Sequence, residues 1–243
     1  LTGEIGMRII GHRGARGEAP ENTLGGFRYL HDLGIRAVEF DVRQLQDDQL
    51  VVIHDDDFVR TTGQSQQVES CTLEQAQQFD HRLQWANWTQ PEYTPSLDHV
   101  LQCLVDFEHI ELEIKAVADD AAAERLIVQL HQELKGFEKT ATITSFDIQI
   151  LAALQRSQSQ FKRALLIEIP VGAYAIELAD QYGCCQIGWK DQLASDDIIQ
   201  RTQQAGLEIS VWTVNDIERA KHLQQMGVQG LITDIPQAML QQL

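Results

Sequence analysis

Short apolar, β-branched runs alternate with helix-like segments from one end of this chain to the other, and few folds accommodate that pattern. Strand-like runs occur at 8–11, 37–42, 50–54, 110–115, 141–146, 163–168, 185–189, 208–214 and 230–234. Helix-like segments at 23–33, 118–134, 148–155, 171–182, 195–204 and 216–226 separate most of them. Such alternation across 243 residues predicts a parallel sheet closed into a (β/α)8 TIM barrel. Nine strand candidates are one too many for that barrel, and spacing identifies the extra one. Only seven residues, 43–49, separate the second and third runs, whereas a parallel crossover needs about a dozen or more. The run at 50–54 is therefore expected to return as the second arm of a hairpin outside the barrel. The expected architecture is α/β: a single TIM-barrel domain over residues 1–243, with a small inserted subdomain after the second barrel strand, from about 43 to 95. An insertion at the carboxyl ends of the strands would lie where barrel loops carry function.

Charge narrows what such a barrel could bind. The formal net charge is −17, which argues against a nucleic-acid partner or stable membrane association. A phosphate site on so acidic a chain must be locally cationic, built from arginine, lysine or a bound metal. No apolar run approaches the length of a membrane span, and Leu1 to Gly6 lacks the regions of a signal peptide, so Met7 is read as the natural start and the cytoplasm as the location. Cys71, Cys103, Cys184 and Cys185 form no spaced metal motif and are expected as free thiols.

The residues that could carry chemistry cluster at strand ends. Alternate strand residues share a face, so Glu39 and Asp41 point the same way, as do Glu111, Glu113 and Lys115. A carboxylate facing a barrel interior is costly unless paired or bound to a cation. Glu39, Asp41 and Glu113 together offer an all-oxygen site suited to one divalent cation, Mg²⁺ or Ca²⁺ with Mn²⁺ a third option, rather than zinc. The competing reading turns them outward, or pairs them with Arg36, Arg43 and Lys115. Glu111, nearer the strand start, reads as structural. His12 and His54 each end an apolar run and are the acid and base candidates. Arg13 could grip a phosphate in bidentate fashion or pair with Glu18 or Glu21, and Lys115 is a second cationic candidate. Trp212 is expected either in the core or lining a pocket for an apolar or glycerol-like group, while Asp55 and Asp234 read as structural.

The same residues fall in nine short stretches: Gly-His-Arg-Gly at 11–14, Pro-Glu-Asn-Thr at 20–23, Val-Glu-Phe-Asp-Val at 38–42, His-Asp at 54–55, Arg-Thr-Thr-Gly at 60–63, Pro-Ser-Leu at 95–97, Glu-Ile-Lys at 113–115, Ser-Phe at 145–146 and Trp-Thr-Val-Asn at 212–215. In these stretches the chain resembles the glycerophosphodiester phosphodiesterase family, of the cytosolic bacterial type. The resemblance implies a TIM barrel with a small insertion that hydrolyses a small-molecule glycerophosphodiester to glycerol 3-phosphate and an alcohol. It makes Glu39, Asp41 and Glu113 the metal ligands, His12 and His54 the acid–base pair, and Arg13 with Lys115 the phosphate ligands. In the hairpin, Leu45-Gln46-Asp47-Asp48 stands where the family has Thr-x-Asp-Gly, so a changed turn is expected there. Two competing functions remain: a phospholipase-like or sphingomyelinase-D-like barrel acting on intact lipid, and a non-catalytic module that binds a glycerophosphodiester or metal. The residues leave the head group and the oligomeric state open.

Overall fold

The computed structural model describes residues 6–243; most of the segment read as preceding the natural start, residues 1–5, lies outside the described residues. Nine strands form one sheet: β1 (Arg8–His12), β2 (Ala37–Gln44), β3 (Leu50–Val52), β4 (His109–Ile114), β5 (Ala141–Ser145), β6 (Lys162–Ile167), β7 (Gln186–Lys190), β8 (Glu208–Trp212) and β9 (Gly230–Thr233). Eight of them run parallel and close the ring, because β1 pairs with both β9 and β2. The ninth, β3, pairs antiparallel with β2 through Val42 with Val52 and Gln44 with Leu50. The chain is thus a TIM barrel, and the seven-residue gap does close a hairpin.

Around the barrel lie α1 (Leu24–Asp32), α4 (Leu97–Cys103), α5 (Asp120–Glu133), α6 (Ile148–Arg156), α7 (Tyr174–Gln181), α8 (Asp196–Gln204), α9 (Ile217–Gln225) and α10 (Pro236–Gln242). Two single-turn helices, α2 (Val59–Thr62) and α3 (Leu73–Ala76), belong to the segment between β3 and α4. Local chemistry starts most of the longer helices: Thr23, Ser96, Asp119, Asp147, Ser195 and Asp216 each accept a backbone N–H of the first turn. None of the helices among the described residues is long and apolar enough to cross a membrane.

The apolar core lies between the strands and this helical layer, with Phe27, Phe40, Leu112 and Trp189 fully buried. A second, smaller cluster of Leu45, Val51, Ile53, Phe58, Val68, Cys71 and Ala76 fills the space under residues 45–76. In the hairpin turn, Leu45 C=O accepts Asp48 N–H at 3.1 Å, and Asp48 takes φ 62°. Aspartate tolerates this left-handed conformation better than most residues, so the turn keeps the geometry that a glycine would supply there. Residues 85–92 are tied to the β1–α1 connection. Trp85 Nε1 donates to Arg16 C=O at 3.0 Å, and Glu92 Oε2 accepts the Gly25 N–H at the start of α1 at 2.9 Å. A Cβ at 25 would lie 2.0 Å from the Glu92 carboxylate, so any larger residue there would displace the Glu92 side chain from its bond to the backbone N–H at 25.

Candidate active site

At the carboxyl ends of the strands a cavity of about 260 Å³ is lined by His12, Arg13, Arg16, Glu39, His54 and Glu113 on its polar side. Phe146, Leu166, Trp212 and Ile232 form its apolar wall. Phe146 and Trp212 meet edge to face with centroids 5.5 Å apart, and Trp212 Nε1 donates to Gly188 C=O at 3.1 Å. Trp212 therefore lines the cavity while packing against the buried Ile10, Ala37 and Ile232.

Register explains the carboxylate group. His12 pairs with Glu39, and Asp41 with Glu113, across neighbouring strands, so alternation delivers Glu39, Asp41 and Glu113 to one spot. One oxygen from each lies within 4.8 Å of the others, and all three residues are buried. Two cations offset part of that charge. Lys115 Nζ sits 2.6 Å from Asp41 Oδ1 and also contacts Glu113 Oε1, and Arg13 Nε is 3.3 Å from Asp41 Oδ2. Although burial opposes it, Lys115 and Arg13 hold the Asp41 carboxyl well below its ordinary range. Burial and the neighbouring carboxylates push Glu39 well above its ordinary value and Glu113 up to about 7. A buried, all-oxygen, over-anionic cluster is the donor set a hard divalent cation fits.

Glu111 has a different fate, as its place on the strand suggested. It accepts from Gln186 at 2.9 Å and Ser210 at 3.3 Å and contacts the His109 ring at 2.9 Å. These partners outweigh burial and keep its carboxyl low.

The two histidines share one device. His12 Nδ1 lies 2.6 Å from Asp234 Oδ1, and His54 Nδ1 lies 2.7 Å from Asp55 Oδ1. An ionised carboxylate only accepts, so each Nδ1 carries the hydrogen and each Nε2 is left for the cavity. The hydrogen bond from His54 is the largest cause of a lowered Asp55 pKa, followed by the pull of Arg60 against burial. Although burial opposes it, Asp234 is also lowered, by His12 with smaller contributions from Asn215 and Arg16. Burial lowers His12 itself, which favours the neutral ring.

Arg13 is set by a strained backbone. It takes φ 51°, and Asn22, which donates to Asp41 Oδ2 at 2.9 Å, takes φ 55°. Asparagine tolerates the left-handed conformation, whereas at Arg13 it costs about 1–2 kcal/mol, which the side-chain contacts offset. The Arg13 N–H donates to Glu39 Oε2 at 3.1 Å and its Nη1 to Glu21 Oε1 at 3.0 Å. Arg60 binds the same Glu21 through two nitrogens, at 2.8 and 2.6 Å, and reaches Asp55 Oδ2 at 2.6 Å.

Residues 12–238 match the model of the glycerophosphoryl diester phosphodiesterase family. The chain belongs to that family. As a glycerophosphoryl diester phosphodiesterase family member it is 30% identical to YhdW of Bacillus subtilis over 232 residues, 95% of each chain. It is 27% identical to the glycerophosphodiester phosphodiesterase of Caldanaerobacter subterraneus over 236 residues, 96% of each. Its fold superposes with TM-score 0.87 on a phosphodiesterase of Oleispira antarctica solved in complex with the product sn-glycerol-3-phosphate, at 23% identity, covering 97% of this chain and 96% of that one.

Within this family member, the expected His12, His54, Arg13, Glu39, Glu113 and Trp212 meet in one cavity, with Asp41 directly behind it. Lys115 is not among the residues lining this cavity; its ammonium pairs with the carboxylates of Asp41 and Glu113. Trp85 and Trp88 line a separate surface cleft. Asp55 and Asp234, both read as structural, are the hydrogen-bond partners of the two histidines. For Asp55, strand parity misled, because β3 ends at Val52 and alternation does not extend to residues 54 and 55. For Asp234 a signal existed: a closed barrel sets the last strand beside the first.

Proposed function

We propose that this chain hydrolyses glycerophosphodiesters to glycerol 3-phosphate and an alcohol. The observation that carries this reading is the pair of carboxylate-braced histidines lining one cavity with Arg13 and the buried carboxylates. Glu39, Asp41 and Glu113 would hold one divalent cation, Mg²⁺ or Ca²⁺ being the best match to the donor set. When bound, it supplies Lewis-acid stabilisation of charge on the phosphoryl oxygens.

Arg13 and Arg16, both lining the cavity, give the anionic phosphodiester a local cationic contact on an otherwise acidic chain. The glycerol carbons fit the wall of Phe146 and Trp212. One histidine takes the proton of the attacking hydroxyl at Nε2, and the other donates a proton from Nε2 to the leaving alkoxide. His12, neutral through burial, suits the base. Water attack yields the products in one step, whereas attack by the glycerol 2-hydroxyl passes through a cyclic phosphate that water then opens.

Released glycerol 3-phosphate, measured on glycerophosphodiesters of choline, ethanolamine, glycerol and inositol with Mg²⁺, Ca²⁺ and Mn²⁺ in turn, tests the reading. Turnover is expected with at least one cation, lost on exhaustive chelation and restored on adding it back. Full activity after chelation would overturn the metal assignment. Binding of all four diesters without turnover at any cation concentration would overturn the enzymatic reading in favour of a binding module.

A further inference from the structure

The far side of the His12–Asp234 pair has no place in the chemistry so far. Asn215, three residues beyond the end of β8, reaches the loop after β9 and makes three hydrogen bonds there. Its Oδ1 accepts the Asp234 backbone N–H at 2.9 Å and the Thr233 hydroxyl at 3.1 Å. Its Nδ2 donates to Asp234 Oδ2 at 2.8 Å. A backbone N–H can only donate, so the Asn215 atom facing it must be the oxygen, and the amide cannot rotate without setting N–H against N–H. Asn215 therefore presents a fixed donor to residue 234. The other atom of residue 234 faces His12 Nδ1 at 2.6 Å.

We propose that Asn215 is a positioning residue that fixes the His12 tautomer through Asp234, keeping the Nδ1 hydrogen on the Asp234 side and the Nε2 lone pair toward the cavity. This deepens the acid–base reading above and rests on it for its catalytic consequence. The relay runs in one direction. With Asn215 donating to Oδ2, residue 234 must accept there, and as a carboxylate it also accepts from the ring. Arg16 Nε lies 3.9 Å from Asp234 Oδ1, too far for a hydrogen bond, and it too favours an oxygen on the ring side. Among the described residues, the side-chain hydrogen bonds of the Asp234 carboxylate are those to His12 and Asn215.

A sharp consequence follows for an isosteric change. In Asp234→Asn, the new amide must turn its oxygen to Asn215 Nδ2 and its NH₂ to the ring. His12 then accepts at Nδ1 and carries its hydrogen on Nε2, the wrong tautomer for a base. In the exchanged pair Asp234→Asn with Asn215→Asp, the carboxylate at 215 accepts from the NH₂ at 234, and the amide oxygen faces His12 again. The exchange restores the tautomer while moving the charge one residue away.

The test measures kcat, KM and melting temperature for wild type, D234N and D234N/N215D, with ring ¹⁵N spectra of His12 in each full-length protein. D234N should lose about 10²–10⁴ in kcat with little change in KM, by analogy with tautomer inversion in a catalytic triad. Its His12 spectrum should switch to the Nε2–H form. The double variant should regain at least about tenfold of kcat and return to the Nδ1–H form. Retention of the Nδ1–H tautomer in D234N, or a double variant that stays in the Nε2–H form, would overturn the proposal. Because the spectra report the tautomer without turnover, a wild type that hydrolyses no diester would defeat the functional reading and leave the relay separately decided.

Discussion

His12 and His54 carry the same Nδ1–carboxylate pairing, yet the molecule supports them by different means. His12 is 8% exposed at the end of β1, and its support is a run of hydrogen bonds through Asp234 and Asn215 that includes a backbone N–H. His54 sits on the loop after β3 with its side chain 35% exposed. Its support is a chain of charges: Asp55 to Arg60, Arg60 to the buried Glu21, Glu21 to Arg13. The barrel half is held by burial and short-range geometry, whereas the half that follows β3 is held by ion pairing that also reaches the arginine of the barrel half. Arg13 and His54 are thus positioned together, although they sit in segments separated by the whole of α1 and β2.

Removing either ring is the largest break in this comparison. His12→Ala and His54→Ala should each lower kcat by at least about 10²-fold, the usual scale of general acid–base catalysis. The difference between the halves should appear on adding free imidazole. His54→Ala leaves an open site that a small base can enter, and should recover activity in proportion to imidazole concentration. His12→Ala leaves a site closed by neighbours and should recover far less. Equal rescue of the two variants would mean that burial does not distinguish them, and wild-type turnover in either would remove that histidine from the chemistry.

Arg60→Met is a smaller break, directed at the charged half alone. It strips the fully buried Glu21 of two charge-assisted hydrogen bonds and Asp55 of one, while Arg13 at 3.0 Å still partners Glu21. Loss of such bonds points to a stability cost of about 1–3 kcal/mol. Turnover should fall about 10-fold or more, with KM raised because Arg60 no longer holds in place the Glu21 carboxylate that positions Arg13. Stopped assays across an ionic-strength series separate this from general damage. Wild-type turnover should decline with salt as the partly exposed Arg60 pairs are screened, and the variant should be nearly flat. A variant with unchanged kcat and KM would show that Arg60 links the halves structurally without positioning either.

The barrel half was also the more legible from the sequence. Period-two parity brought Glu39, Asp41 and Glu113 together, because parallel register transmits a shared face from strand to strand. The seven-residue gap placed His54 outside the ring because no parallel crossover fits that length. What parity could not reach were the contacts made past strand ends. Asp55 follows β3 by three residues. Asp234 lies 222 residues from His12, and only closure of β1 against β9 makes them neighbours. The Arg60–Glu21 pair joins a single-turn helix to a proline-containing turn, and nothing in the periodicity of either segment marks the partner.

The smallest expected effect concerns acid, and it distinguishes the interiors of the two halves. In the barrel, Glu111 is buried as an anion with several partners, whereas in the segment between β3 and α4 His81 is buried between two hydroxyls, Thr61 at 2.9 Å and Thr94 at 2.7 Å. Burial, with a smaller push from Arg60, lowers His81 from 6.5 to about 4 against the opposing pull of Glu21 and Asp80. The folded state thus binds this proton less readily than the unfolded chain. The contribution of neutral His81 is fully present above about pH 6.5 and drains away as pH falls toward 4. Linkage over that shift costs about 1–2 kcal/mol between pH 7 and pH 5. His81→Gln keeps a donor and an acceptor for the two threonines but cannot titrate. Melting temperatures at pH 7 and pH 5 should therefore fall further in wild type than in the variant, and limited proteolysis at pH 5 should cut first within residues 54–95 of wild type. If both proteins lose the same stability over this range, His81 is not the acid-sensitive element, and the weaker half of the site yields to low pH through its ion pairs alone.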